Sequence, residues 1–232
     1  MITEAIILAG GLGTRLREAV PDLPKCMAPV AGRPFLDYLI KYLQQQGIQH
    51  FIFSLGYKHL IIENFLKDSF PLLHYTCLIE TEPLGTGGAI KLACNETNKK
   101  NVFVFNGDTF FKVNLQKLAS FHIDVEADCT LSLKPMKDFD RYGVVETGKQ
   151  GNLQLFKEKN NYAEGLINGG VYALNANHFL ALPLPEIFSF EKDYLEKYYT
   201  KQKIYALVQD EYFIDIGVRE DLEKANRDFG NM

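Results

Sequence analysis

Hydrophobic positions along the chain fall into two alternating textures. Short apolar runs at Glu4–Ala9, His50–Leu55, His74–Ile79 and Val102–Asn106 are rich in Ile, Val, Phe and Leu and are bounded by polar or glycine-containing turns, a pattern that predicts buried strands. Between the first two, Phe35, Tyr38, Leu39, Tyr42 and Leu43 recur at helical spacing and stop at Gly47, a residue suited to the left-handed cap that ends a helix. The next interval carries Tyr57, Leu60, Ile61 and Phe65. The one after it starts at Leu84-Gly85-Thr86-Gly87-Gly88 and runs to about Cys94, and Asn114 is placed to cap a short helix holding Leu115, Leu118 and Ala119. Strands alternating with helices predict βαβ units on a mostly parallel sheet.

After about Asp124 the texture changes to short strand-like runs, Cys129–Leu133, Val144–Glu146, Leu153–Phe156 and Val171–Leu174, separated by Gly and Asn turns. These predict added antiparallel strands, with a closing helix at Arg219–Phe229. The aromatic-rich stretch Phe188–Tyr199 reads as an amphipathic helix in preference to a dimer patch. The expected fold is α/β: a Rossmann-like mixed, mainly parallel sheet flanked by helices. No linker, repeat or low-complexity segment interrupts it, so one domain is expected over 1–232, its two halves meeting at 123/124.

Composition narrows the partners. The 232 residues are 47% hydrophobic and 23% charged, and Lys+Arg 25 against Asp+Glu 29 gives a net charge of -4. That balance offers no overall basic field to hold a polyanion, so nucleic acid is not expected. No apolar stretch approaches the roughly 20 residues of a membrane helix. The N-terminus enters a strand without the basic start of a secretory signal, which predicts a cytoplasmic location. Cys26, Cys77, Cys94 and Cys129 stand far apart with no Cys-x-x-Cys pair and read as reduced thiols. The five histidines are scattered and read as structural or surface residues.

Chemistry concentrates where the first strand runs into Gly10-Gly11-Leu12-Gly13-Thr14-Arg15-Leu16. Without Cβ atoms at 10, 11 and 13, backbone N–H groups can approach phosphate oxygens, and Arg15 can add a bidentate donor. A dinucleotide-binding turn needs a third glycine where Leu16 stands and an acidic residue closing the second strand, which instead ends Phe53-Ser54-Leu55-Gly56. A Walker A loop needs Gly-Lys-Ser/Thr, absent from 10–16. A tight strand exit is the plainer alternative, but it does not require the charges of Arg15 and Lys25. Prolines 21, 24 and 29 stiffen the segment that carries Lys25, making it a candidate positioned cation rather than an ordinary surface lysine. Asp108 follows an apolar strand, at the edge where open α/β sheets bind ligands. Asp215 sits in the apolar context Tyr212-Phe213-Ile214 and Ile216-Gly217. Either aspartate alone also fits a turn or cap; together they are candidate ligands for a hard cation, which commonly takes one or two protein carboxylates.

These motifs resemble the sugar-1-phosphate nucleotidyltransferases. The opening strand with Gly-Gly-x-Gly-Thr-Arg-Leu and Pro24-Lys25 is followed, in the family's order, by Glu80-x-x-Pro83-Leu84-Gly85-Thr86-Gly87-Gly88-Ala89, Asn106-Gly107-Asp108, Phe156-Lys157-Glu158-Lys159, Ile167-Asn168-Gly169-Gly170 and Phe213-Ile214-Asp215-Ile216-Gly217. The resemblance implies the nucleotide-diphospho-sugar transferase fold, with 1–123 as the nucleotide-binding half and 124–232 as the sugar-phosphate-binding half. It implies that Leu8, Ala9, Gly10, Gly11, Gly13 and Thr14 hold base and phosphates, that Arg15 and Lys25 meet the triphosphate, and that Glu80, Gly85 and Thr86 meet base and ribose. Gly107, Glu158, Lys159, Asn168 and Gly169 would face the sugar phosphate, and Asp108 and Asp215 would ligate Mg²⁺. Arg15, Lys25 and Asp108 are the implied catalytic residues, with Asp215 also beside the substrate. Arg141 either meets a substrate phosphate or hydroxyl or forms a local salt bridge. Cys26 departs from the proline more usual after the family's lysine.

Within the family, the segments 138–143, 166–170, 188–191 and 212–217 look most like the bacterial D-glycero-α-D-manno-heptose 1-phosphate guanylyltransferases. That narrower resemblance implies GTP and a sugar 1-phosphate as substrates, GDP-heptose and pyrophosphate as products, and a role in surface polysaccharide or glycoconjugate biosynthesis. Alternatives are a mannose 1-phosphate guanylyltransferase, an N-acetylmuramate 1-phosphate uridylyltransferase and, outside catalysis, a nucleotide-sugar-binding regulatory protein. The residues leave base choice and oligomer formation open.

Overall fold

The computed structural model describes residues 1–11, 13, 16, 20–157 and 159–230. The chain opens with β1 (Glu4–Ala9). A 3-10 turn at Lys25–Met27 leads into a hairpin of β2 (Pro29–Val30) and β3 (Arg33–Pro34). Its tip holds Ala31 and Gly32 at φ 45° and 80°, the left-handed pair that a two-residue hairpin turn requires. α1 (Phe35–Gln45) starts directly after Pro34 and gives way at Gly47, φ 89°. The alternation continues through β4 (His50–Leu55), α2 (His59–Ser69), β5 (Tyr75–Ile79), α3 (Gly85–Cys94) and β6 (Asn101–Asn106). β7 (Thr109–Phe111) precedes α4 (Leu115–Asp124), whose N-cap Asn114 accepts the Lys117 amide at 2.8 Å. β8 (Cys129–Phe139), β9 (Val144–Thr147), β10 (Leu153–Lys157) and β11 (Tyr162–Asn175) come next. Then come α5 (Ala176–Leu180), a π-helical segment Phe190–Leu195 running into α6 (Glu196–Tyr198), β12 (Ile204–Val208), β13 (Phe213–Asp215) and α7 (Arg219–Gly230).

β6, β1, β4 and β5 lie side by side and parallel. β11 joins β6 antiparallel, β8 joins β11 antiparallel, and β12 runs parallel to β8, while the β9/β10 hairpin attaches to β11. The result is the mixed, mainly parallel sheet expected from the sequence. Period-two geometry sends alternate strand residues to opposite faces. Ala5, Ile7, Phe51, Phe53, Phe103 and Phe105 enter a core shared with α1, α4 and α7, whereas Ile6, Ile52, Val102 and Val104 enter the core beneath α3 and α5. With both faces covered, the strands read as continuous apolar runs, as buried parallel strands do.

Two elements exceed their expected length. β8 extends past Leu133 through Lys134-Pro135-Met136-Lys137-Asp138 to Phe139, and β11 starts at Tyr162 rather than near Val171. Their backbones pair with each other from Tyr162↔Phe139 onward, so a hydrogen-bond ladder carries both strands beyond their apolar cores. The register breaks between Asn168 and Tyr172, where Gly170 sits at φ 70°. A Cβ there would lie 2.5 Å from Asn106 Nδ2, and one on Gly169 would lie 2.4 Å from the Phe111 ring. The Asn-Gly-Gly motif is thus a bulge into which Phe111 and Asn106 fit. The aromatic stretch is core, as its helical reading expects: Phe188, Phe190, Tyr194 and Leu195 are buried together with Phe179. Its first turn is π-helical rather than α-helical.

Candidate active site

The carboxyl ends of the four parallel strands deliver their following residues to one cleft of about 640 Å³. Gly10, Gly11 and Gly13 follow β1, Gly56 and Tyr57 follow β4, Glu80 to Pro83 follow β5, and Asn106 and Asp108 close β6; all line it. Gly10 and Gly56 are in backbone contact, since a Cβ on Gly56 would lie 2.8 Å from the Gly10 carbonyl oxygen. Gly107 is pinned likewise by donating its N–H to the Leu8 carbonyl at 2.9 Å. Open α/β sheets bind ligands at this edge because diverging strands leave a crevice beyond their carboxyl ends.

A charged cluster stands at one side of the cleft. The Lys25 ammonium donates to Asp108 Oδ2 at 2.5 Å and to Asp215 Oδ1 at 3.2 Å. Two features of the fold bring these residues together. The 3-10 turn that begins at Lys25 aims the lysine, and the antiparallel β7/β13 ribbon, in register Asp215↔Thr109, sets Asp215 next to Asp108. The ribbon is tied down by the Ile216 N–H to the Asp108 carbonyl at 3.1 Å, and the Gly217 N–H donates to Asp215 Oδ1 at 2.8 Å. A Cβ on Gly217 would stand 2.9 Å from that oxygen and 3.0 Å from Lys25 Nζ. Tyr142 is partly buried near Asp215, and burial followed by that carboxylate's charge pushes its phenol up. Cys26, beside Lys25, is buried, and burial followed by the Asp108 charge pushes its thiol up to about 12. It is a protonated filler rather than a nucleophile.

The pair of carboxylates already converges on one cation, the ammonium, and both offer hard oxygen donors. Among the described residues no cluster of three or more His, Cys, Asp or Glu could hold a metal. A two-carboxylate site therefore fits a divalent ion that completes its shell from phosphates and water, and fits no all-protein metal cage.

The opposite wall is organised by Glu80. Its Oε1 accepts from the fully buried Ser54 hydroxyl at 2.9 Å and its Oε2 from the Leu84 N–H at 3.2 Å. A Cβ on Gly10 would lie 2.6 Å from Oε1, so this glycine admits the carboxylate. Gly85, at φ 71°, would place a Cβ 2.5 Å from the Phe188 carbonyl, and Gly87 and Gly88 press on the Phe188 ring and the Glu186 carbonyl. These three glycines serve close packing of α3 on 186–188. Thr86 lines the cleft and donates to Glu191 Oε2 at 2.9 Å.

All expected nucleotide-side residues that the structure describes line this cleft: Leu8, Ala9, Gly10, Gly11, Gly13, Lys25, Glu80, Gly85, Thr86 and Asp108. Thr14, Arg15 and Glu158 lie outside the described residues. Of the residues expected to face the sugar phosphate, Asn168 donates to Tyr172 at 2.8 Å, Gly169 packs on Phe111 and Lys159 is exposed beyond β10, and none of the three lines the cleft. The alternative offered for Arg141, a local salt bridge, needs correction in its partner. Its guanidinium pairs with Asp221 of α7, 80 positions away, because the fold lays that helix start beside the 138–142 turn. Asn106, Tyr142, Glu191 and Gly217 stand inside motifs that the sequence marks but were given no role there, and Gly56 and Ser54, at the end of β4, were read only as departures from a dinucleotide-binding turn.

A sheet that gathers a glycine-lined cleft and a lysine held between two carboxylates at one rim has the architecture of a nucleotidyltransferase of the nucleotide-diphospho-sugar transferase fold. Comparison with known proteins agrees: the Nucleotidyl transferase family matches residues 4–231, and the chain belongs to that family. It is 50% identical over 225 residues, 97% of each chain, to D-glycero-alpha-D-manno-heptose 1-phosphate guanylyltransferase of Aneurinibacillus thermoaerophilus. It is 46% identical to the protein of the same name from Campylobacter jejuni, over 94% of this chain and 96% of that one. HddC from Yersinia pseudotuberculosis superposes with a TM-score of 0.89 at 39% identity, covering 98% of this chain and 100% of HddC, and a second HddC structure is complexed with GMP-PN. Among the described residues no helix is long and apolar enough to cross a membrane.

Proposed function

We propose that the chain transfers GMP from GTP to a sugar 1-phosphate, D-glycero-α-D-manno-heptose 1-phosphate, giving GDP-heptose and pyrophosphate for cytoplasmic assembly of surface glycoconjugate precursors. The observation that carries this reading is the near full-length identity to two guanylyltransferases of that specificity, in a chain whose lysine and paired aspartates meet at the cleft.

The attacking sugar-phosphate oxygen is already an anion at neutral pH, so no general base is needed. The site chiefly has to suppress repulsion between two anions and hold them in line. Leu8 to Gly13 and Thr14 hold base and phosphates, Glu80, Gly85 and Thr86 hold base and ribose, and Arg15 and Lys25 face the triphosphate. Gly107, Arg141, Glu158, Lys159, Asn168 and Gly169 receive the sugar phosphate, which makes 1–123 the nucleotide half and 124–232 the sugar-phosphate half. Asp108 and Asp215 would hold Mg²⁺, which supplies charge neutralisation to the phosphates when bound. Because the sugar phosphate is itself the nucleophile, the transfer is a direct displacement with no covalent enzyme intermediate.

Pyrophosphate release measured over a panel of nucleoside triphosphates and sugar 1-phosphates tests the reading. GTP with the heptose phosphate is expected to give the highest kcat/KM. A preference for UTP or for mannose 1-phosphate would reassign the specificity, and silence with every pair would leave a binding protein.

A further inference from the structure

Glu191, in the first turn of the π-helical segment, links Thr86, which lines the cleft, to Asn168, the residue expected to face the sugar phosphate. Its Oε2 accepts from the Thr86 hydroxyl at 2.9 Å and from Ser189 at 3.2 Å, and its Oε1 accepts from the Tyr172 hydroxyl at 3.4 Å. Tyr172 in turn accepts from Asn168 Nδ2 at 2.8 Å, while Asn168 Oδ1 accepts the Gly170 N–H at 3.1 Å.

The direction of every bond in this chain is forced. A backbone N–H only donates, so Gly170 fixes the Asn168 oxygen and leaves its amide nitrogen to donate to Tyr172. The one phenolic proton must then go to an acceptor, and an ionised carboxylate only accepts. Thr86 is set in the same way, because its oxygen already accepts the Phe190 N–H at 2.8 Å and its proton goes to Glu191. Tyr172 is fully buried; burial and the adjacent Glu191 charge hold its phenol well above the usual range, so its proton is retained at any working pH.

We propose that Glu191 is a positioning residue that orients Thr86 on the nucleotide side and, through Tyr172, Asn168 on the sugar-phosphate side, registering both substrates against one carboxylate. This rests on the guanylyltransferase reading above. The Asn168 amide is locked with its oxygen turned back onto its own strand and one N–H still to give. Thr86 is locked beside Gly85 at the cleft wall.

Steady-state kinetics on variants separates this role from a purely structural one. Tyr172→Phe cuts only the arm to Asn168 and is expected to raise KM for the sugar 1-phosphate about tenfold, the loss of one buried hydrogen bond to a charged network, with KM for GTP within twofold. Glu191→Ala cuts both arms and is expected to raise both KM values. The double variant should have a sugar-phosphate KM no higher than Glu191→Ala alone, because residues on one chain are not additive. If Glu191→Ala does not fold, Tyr172→Phe, which removes one oxygen atom from the core, decides alone. Absence of turnover in the wild-type protein would overturn the function itself. A working wild type with unchanged KM values in the variants, or with equal shifts for both substrates in Tyr172→Phe, would overturn the role of Glu191.

Discussion

Replacing Lys25 by methionine keeps the stem of the side chain and removes its charge from between two carboxylates. Asp108 Oδ2 and Asp215 Oδ1 are no further apart than the two lysine contacts laid end to end, about 5.7 Å. At an effective dielectric constant of about 20, two unit charges at that separation repel by about 3 kcal/mol. The aspartate side chains are 33% and 23% exposed, so water screens part of this, and a loss of about 1–3 kcal/mol in unfolding free energy is expected by urea titration. Millimolar Mg²⁺ without nucleotide should restore stability to Lys25→Met and do less for the wild type, whose ammonium already holds the position between the carboxylates. Turnover should fall on the order of 10²- to 10³-fold, the loss seen when one preorganised electrostatic contact is removed. A variant as stable as the wild type, indifferent to Mg²⁺ and turning over normally would refute the reasoning.

Other consequences are equally open to measurement. Gly10→Ala places a methyl group 2.6 Å from Glu80 Oε1 and forces that carboxylate off Ser54 and Leu84; KM for GTP should rise about tenfold, with that for the sugar phosphate little changed. His122 is buried against Thr130 and Asn101, and burial pushes its ring down to about 4. Because the unfolded chain takes up that proton first, stability should fall as pH drops from about 6.5 to about 4, by on the order of 3 kcal/mol. Urea midpoints across that window should be flatter in His122→Asn. Burial also pushes the Cys26 and Cys94 thiols up to about 12 and Cys77 to about 11, so a disulfide reagent at pH 8 should label the folded protein slowly and all four cysteines quickly in denaturant.

The parallel half of the fold was legible because its strands are apolar on both faces and its helices carry one-sided stripes. The period-two split of Ile6 from Ile7, or of Phe53 from Ile52, is written directly in the residues. The cleft lining was legible for a related reason: its residues stand just after those strands, where topology alone brings them together. Legibility failed where a contact is set by distant partners. The Lys134–Asp138 stretch, with three charged residues and a proline, lies outside the predicted strand Cys129–Leu133 and is strand only because of the β11 ladder. Gly87 and Gly88 read only as the glycine-rich start of a helix, and their packing role shows once Phe188 and Glu186 are seen to fill the space above them. Arg141 meets Asp221, and Glu191 meets Thr86, across 80 and 105 positions of chain.

If one rim of the sheet aligns two anions for direct transfer, no enzyme group attacks phosphorus. The configuration at the α-phosphorus of GDP-heptose made from a single diastereomer of α-thio-GTP tests it most directly. Direct in-line displacement predicts inversion of that centre. Retention would require a second displacement through a covalent enzyme intermediate and would contradict the account.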